Sequence, residues 1–206
     1  AEKLNKTSSV VVIFIGEGAT ETGVFAETIN FIAVHDLPVL FVCENNLYSV
    51  YTPLHTRQPK GLNIVDKVRG MGVQASSVDG TCATSQFTHF ESVIAAICET
   101  SKPHFVECPT YRYMEHCGPN NDDSLGYRPL GELATWMRHD PISKLEKRMI
   151  DEATLSQSAI HQMNEVAHQK AVAAFNFAEK TPFPDQNKAF ENVFAQSKKK
   201  GIAQCK

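Results

Sequence analysis

Four short apolar runs rich in β-forming residues, at 10–15, 39–43, 73–78 and 104–108, alternate with longer segments of helical period. That alternation constrains the fold most: parallel strands need a crossover between them, and a helix is the usual one, so the pattern predicts an α/β domain with a parallel sheet flanked by helices. Residues 21–35 place Val24, Glu27/Thr28, Phe31 and Val34 along the first crossover helix, which Leu37-Pro38 ends. In a later unit Phe87, Phe90, Ile94 and Ile97 step by three and four, the spacing of one buried helical face. Asp79-Gly80 supplies the turn before that helix and Pro103 the stop after it.

From 110 to 128 aliphatic residues almost vanish, and Tyr, Arg, His, Gly, Pro, Asn and Asp form a long polar loop of the kind that often carries function. Beyond it the chain reads as helical. Asp140-Pro141 is a helix start, and Thr154 with Gln157 three residues on reads as a capping box. Ile160, Met163, Ala167, Ala171, Ala174 and Ala178 then mark one face of a long helix that Pro182 and Pro184 end. The chain divides on this reading into an α/β part, 1–130, and a helical extension, 131–206. Its opening, "AEKLNKTSS", has no Met and reads like a helix end, so the chain is expected to start inside a larger domain.

Charge excludes some partners. The formal net charge is -3, and the one basic run is Lys198 to Lys200, so no nucleic-acid footprint appears. The longest apolar run is too short to cross a bilayer. Six cysteines lie at irregular spacings without a CxxC pair, the pattern of reduced thiols in a cytoplasmic protein.

Ligands of open α/β sheets gather beyond the carboxyl ends of the strands. Two polar corners fall there: Gly16-Glu17-Gly18 after the first strand and Glu44-Asn45-Asn46 after the second. One helix and one strand separate them, so a carboxylate and an amide oxygen can face one site, and such hard oxygens suit magnesium. Gly18, Ala19 and Thr20 are expected to open the following helix and offer free N–H groups to a phosphate. Each corner alone is an ordinary turn; the spacing and the strand context together carry the functional reading.

"GEGATETG" followed by "LPVLFVCENNLY" resembles the thiamine-diphosphate signature, a Gly-Asp-Gly motif with Asn-Asn one helix and strand later. It is most similar to the α subunit of the decarboxylating component of 2-oxo acid dehydrogenase complexes, the pyruvate, branched-chain and acetoin enzymes. The likeness runs on through "YRYMEH", "GYR", "HDPISKLEKRM" and "AFNFAEKTPFP" in collinear order. It implies a thiamine-diphosphate-binding fold with a C-terminal helical extension, and the cofactors thiamine diphosphate and Mg2+. Glu17, the Asn46 side chain and the Tyr48 carbonyl would ligate the metal, and Gly16, Gly18 and Ala19 would line the diphosphate. His116 would reach the diphosphate and the substrate as the catalytic loop histidine. For Arg112 two roles stay open, a phosphate contact and a brace for the loop; Arg128 reads as a loop anchor.

The resemblance further implies a β subunit, which supplies the glutamate that activates the cofactor, a lipoyl-bearing acyltransferase as a further partner, and a 2-oxo acid as substrate. Where the family's mitochondrial members carry a phosphorylated Ser, this chain has Cys117, so kinase control is not carried over. Three other readings stand beside it: a homologous enzyme acting on a sugar-derived ketone or 2-oxo acid, a non-catalytic assembly subunit, and a dinucleotide-binding domain. The last lacks GxGxxG.

Overall fold

The computed structural model describes residues 9–191. All four expected strands form, as β1 (Val11–Gly16), β2 (Val39–Asn45), β5 (Gln74–Ser77) and β6 (His104–Pro109), and they join in one parallel sheet of order β1-β2-β6-β5. Between β1 and β2 a 3-10 turn, Glu17–Glu21, precedes α1 (Gly23–Val34). A small antiparallel pair, β3 (Tyr48–Ser49) with β4 (Thr52–Pro53), then leads through α2 (Leu54–Arg57) and α3 (Ile64–Gly70) to β5. Helix α4 (Ala83–Thr100) crosses back to β6. After the loop come α5 (Glu132–Met137) and α6 (Pro141–Asp151).

Central strand β2 is buried from Val39 through Cys43, as a parallel strand covered on both faces should be. Its side chains alternate between two apolar layers. Val39, Phe41 and Cys43 pack with Phe25, Ile29 and Ile32 of α1 and with Ile64, Val65 and Val68 of α3. Leu40 and Val42 pack on the opposite face with Val93 and Ile97 of α4.

These helices are correctly placed by the sequence, but their buried faces are not. In α1 the expected stripe of Val24, Phe31 and Val34 is exposed, and the core takes the intervening set of Phe25, Ile29 and Ile32. In α4, Phe87 and Ile94 are exposed while Val93 joins Ile97 inside. Both helices carry apolar residues on more than one side, so period alone leaves the buried phase undecided. Edge strand β1 is likewise uneven: Ile13 and Ile15 pack on the first layer, whereas Val12 and Phe14 on the other face are exposed.

The chain forms two compact units, Ala1–Thr154 and Leu155–Lys206, so α5 and α6 belong with the sheet. In the second unit α7 spans Gln157–Lys180. Its N-cap is Ser156, whose hydroxyl accepts from the Ala159 N–H, and not the expected pairing of Thr154 with Gln157. Ser156 stands next to the first helical residue, where its oxygen reaches an orphan N–H. Of the expected buried stripe in α7 only Ile160 is buried; Met163, Ala167, Ala171, Ala174 and Ala178 are exposed. Asp140 caps α6 as expected, accepting from the Ser143 N–H at 2.8 Å. Among the described residues no helix is long and apolar enough to cross a membrane. The basic run Lys198 to Lys200 and Cys205 lie outside the described residues.

Candidate functional site

Parallel pairing puts Gly16 opposite Glu44 and Glu44 opposite Cys108, so the corners after β1, β2 and β6 share the carboxyl edge of the sheet. The chain leaves β1 in a 3-10 turn, and α1 starts only at Gly23, with Thr22 as its N-cap. Gly18, Ala19 and Thr20 therefore do not open the α-helix, which corrects the sequence expectation. Thr20 Oγ1 donates to the Glu17 carbonyl at 2.6 Å and Thr22 Oγ1 to the Ala19 carbonyl at 2.8 Å, and these bonds favour the tighter turn. Any N–H offered to an anion here belongs to that turn and not to the end of a helix.

The two glycines flanking Glu17 differ. A Cβ on Gly16 would meet nothing within 4 Å, whereas one on Gly18 would lie 3.0 Å from Ser49 Oγ and 3.3 Å from Arg57 Nη1. Gly18 thus leaves room for the Ser49 side chain of β3 and the Arg57 guanidinium against the corner, with β3 beside the turn that carries Glu17. Asn46 shapes the same approach, since its Oδ1 accepts from the Tyr48 N–H at 3.0 Å. The neighbouring Asn45 is buried and structural: Nδ2 donates to Glu107 Oε1 at 2.8 Å and Oδ1 accepts from the Leu47 N–H at 3.0 Å.

Glu17 is 1% exposed, and its carboxylate faces Arg57, with Arg57 Nη2 donating to Oε1 at 2.5 Å. Arg57 also donates through Nη1 to Glu21 and through Nε to the Thr52 carbonyl at 3.1 Å. Gln58 Nε2 donates to Glu21 Oε1 at 3.0 Å, and Lys67 Nζ to the Thr20 carbonyl at 2.6 Å. The turn is therefore clamped by cationic and amide donors from α2, from Gln58 directly after it and from α3. Behind it, burial pushes the Cys43 thiol far up, and the carboxylates of Glu107 and Glu17 push it further. Nothing in the sequence singled out Arg57, a lone arginine with no motif around it; only the fold brings it to Glu17.

The loop after β6 is organised around Arg128. Its guanidinium lies 5.0, 5.1 and 5.9 Å from the ring centroids of Tyr127, Tyr111 and Tyr48, an aromatic cage in which cation–π attraction replaces hydration. Nη2 donates to the Arg112 carbonyl at 3.0 Å, and Nη1 lies 3.3 Å from Asp122 Oδ1 without forming an aligned hydrogen bond. The Tyr48 and Tyr111 hydroxyls both donate to Glu132 Oε2, at 2.6 and 2.9 Å, and Tyr111 stacks on Trp136. Burial and these bonds to Glu132 raise both phenols above their ordinary range. Arg128 is an anchor, as expected.

Arg112 spends its Nε and Nη2 donors on the Met114 and Val50 carbonyls and on the Tyr127 hydroxyl, bonds that brace the loop, while Nη1 is buried without a hydrogen-bond partner. His116 is exposed, and no hydrogen bond ties it to the Glu17 corner or to Cys117. Among the described residues no cluster of three or more His, Cys, Asp or Glu could hold a metal, so Cys108 with His116 and Cys117 forms no zinc site. None of the five cysteines described forms a disulfide.

The sequence profile of the dehydrogenase E1 component family matches residues 1–187. The chain belongs to that family. It is similar to the mitochondrial 2-oxoisovalerate dehydrogenase subunit alpha of Homo sapiens, at 28% identity over 95% of this chain and 44% of the relative. The pyruvate dehydrogenase E1 component subunit alpha of Rickettsia bellii is 26% identical over 94% of this chain and 58% of its own length. The chloroplastic subunit alpha-3 of Arabidopsis thaliana is 30% identical over 94% and 44%. The E1 chain thus spans about half the length of these relatives. A thiamin diphosphate-dependent enzyme from Mycobacterium smegmatis aligns structurally over 54% of this chain and 20% of its own, with a TM-score of 0.41 and 23% identity.

The donors at the corner of this E1 chain suit the cation that the signature implies. Glu17, Asn46 Oδ1 and the Tyr48 carbonyl are hard oxygens of the type magnesium takes, and Asn46 Oδ1 keeps a second lone pair beyond its bond to Tyr48. The guanidinium already on Glu17 stands against a cation there.

Proposed function

We propose that this chain is part of the α-type subunit of a thiamine-diphosphate- and magnesium-dependent 2-oxo acid dehydrogenase. On this reading it binds the cofactor diphosphate through the metal and acts with a β subunit, with a lipoyl-bearing acyltransferase as a further partner. A single observation carries the reading: Gly18 admits Ser49 at close range, so the Glu17 corner and the Asn46–Tyr48 segment meet at one sheet edge. Family membership supports it, and we take the cytoplasm as its location on the same reading.

Thiamine diphosphate, when bound, supplies the carbanion and the electron sink that let a 2-oxo acid lose carbon dioxide. The work of this chain is positioning. Glu17, Asn46 and the Tyr48 carbonyl would hold the metal, and the turn from Gly16 through Gly18 and Ala19 would lie against the diphosphate. Arg128 and its tyrosine cage fix the base of the loop that carries His116. An exposed His116 is free to take or give a proton at the substrate. No side chain described at this edge is assigned the activation of the cofactor, which falls to the partner subunit.

Calorimetry on the full-length α chain with its β subunit tests the reading. With magnesium present, thiamine diphosphate binding is expected to weaken about a hundredfold or more in Glu17→Gln, since even outer partners of a metal cost 10–100-fold. Unchanged affinity in that variant would leave this chain an assembly subunit.

A further inference from the structure

We propose that Arg57 is the resident counter-cation of Glu17: its guanidinium takes the place on the carboxylate that a divalent cation would take, and it moves to the diphosphate when the cation binds. The inference rests on the reading of the corner given above and adds a residue that the signature does not include.

Three observations lead to it. Arg57 Nη2 sits 2.5 Å from Oε1 of the proposed metal carboxylate, whose side chain is almost wholly buried. Nη1 lies 3.3 Å from where a Cβ on Gly18 would be, so the guanidinium also rests against the turn expected to face the diphosphate. The side chain is 11% exposed and ends the four-residue helix α2, and among the described residues its tip is tied to Glu17, Glu21 and the Thr52 carbonyl.

A guanidinium and a divalent cation repel each other strongly at contact distance in a shielded site, so both cannot sit at full strength on Glu17. A diphosphate at the same edge offers the planar fork of Arg57 a better partner than a single carboxylate oxygen. Arg57 therefore penalises cation binding alone and rewards cation and diphosphate together. Coupling of this kind is reciprocal: each ligand strengthens the other by the same factor.

The test uses the full-length chain with its β subunit, with manganese as the cation probe followed by its spin resonance and inorganic pyrophosphate as the anion probe. Arg57→Gln is expected to bind manganese alone roughly tenfold more tightly, the effect of removing about one charge-assisted competitor, and to lose most of the enhancement that pyrophosphate gives the wild type. Arg57→Lys keeps the charge without the fork. It covers the case of a misfolded glutamine variant and is expected to bind manganese alone several-fold more tightly with a reduced enhancement. Manganese affinity that is unchanged or weaker in a folded Arg57 variant overturns the proposal, as does a wild-type enhancement that survives it. Glu17→Gln separates the two levels of inference. If it binds manganese as the wild type does, the metal-site reading fails; if it loses the metal while the Arg57 variants are unaltered, only the role of Arg57 fails.

Discussion

Glu17 and Asp122 are both buried carboxylates facing an arginine, yet the two pairs are built differently. Arg57 aims each side of its fork at an oxygen, reaches the sheet edge and retains some exposure. Arg128 is 1% exposed and caged by three tyrosines, and its Nε and Nη1 have no aligned partner. The first pair is held by hydrogen bonds that another cation could replace; the second is held by burial and has nowhere to go. A buried ion pair is thus not one kind of feature: what surrounds the arginine decides whether it can exchange partners or is fixed.

The largest effect expected of this difference is on stability. Arg128→Ala leaves buried Asp122 with the Tyr127 hydroxyl at 2.6 Å and the more distant Arg112 at 3.8 Å, and empties the cage, which should cost about 3 kcal/mol, the lower end for a broken buried pair. Urea unfolding of the α/β protein measures it, and limited proteolysis should cut first within 110–128. Adding Asp122→Ala to Arg128→Ala should recover part of the loss, because the under-compensated buried carboxylate is then gone. A cost below about 1 kcal/mol for Arg128→Ala, the range of an exposed pair, would erase the contrast drawn here.

Arg57→Gln should be milder. Glutamine can still donate to Glu17, so the expected cost is about 1–2 kcal/mol, the loss of a charge-assisted bond in exchange for a neutral one. Magnesium should restore more of that stability in the variant than it adds to the wild type, since the variant has no competitor on Glu17. If Arg57→Gln were as costly as Arg128→Ala and magnesium gave nothing back, Arg57 would be a fixed anchor like Arg128.

The sequence was most legible where one residue type does one job over a short distance. β2 is an unbroken apolar run because both its faces are covered, and its boundaries could be read within two residues. Glu17 and Asn46 could be paired because strand ends are a topological position, fixed once the helix and strand between them are recognised. The buried faces of α1 and α4 were not legible, since apolar residues such as Phe31 and Phe87 occur off the core side as well. Arg57 was the least legible of all. Its partners lie 40 and 36 positions away, on a turn whose 3-10 geometry depends on the hydroxyls of Thr20 and Thr22. Asp122 and Glu132 escaped notice for a similar reason: each acts through tyrosines that the fold, and not the spacing, brings within reach.

The smallest expected effect concerns the outer wall of the Arg128 cage. Tyr48 and Tyr111 share the Glu132 carboxylate, and burial together with that bond lifts both phenols above their ordinary value near 10. A raised folded-state value means that the folded protein holds these protons more tightly than the unfolded chain. The resulting stability is present in full below about pH 10 and is lost as pH climbs past it, because the unfolded phenols ionise first. Tyr111→Phe removes one of the two bonds and should cost about 1 kcal/mol at neutral pH, with a shallower alkaline decline. The double variant with Tyr48→Phe should flatten that decline further while leaving Arg128 its three aromatic faces, since phenylalanine keeps the ring. Denaturant midpoints measured from pH 8 to 11 decide it: an alkaline flank as steep in the double variant as in the wild type would mean that Glu132 holds the cage by packing and not through the two protons.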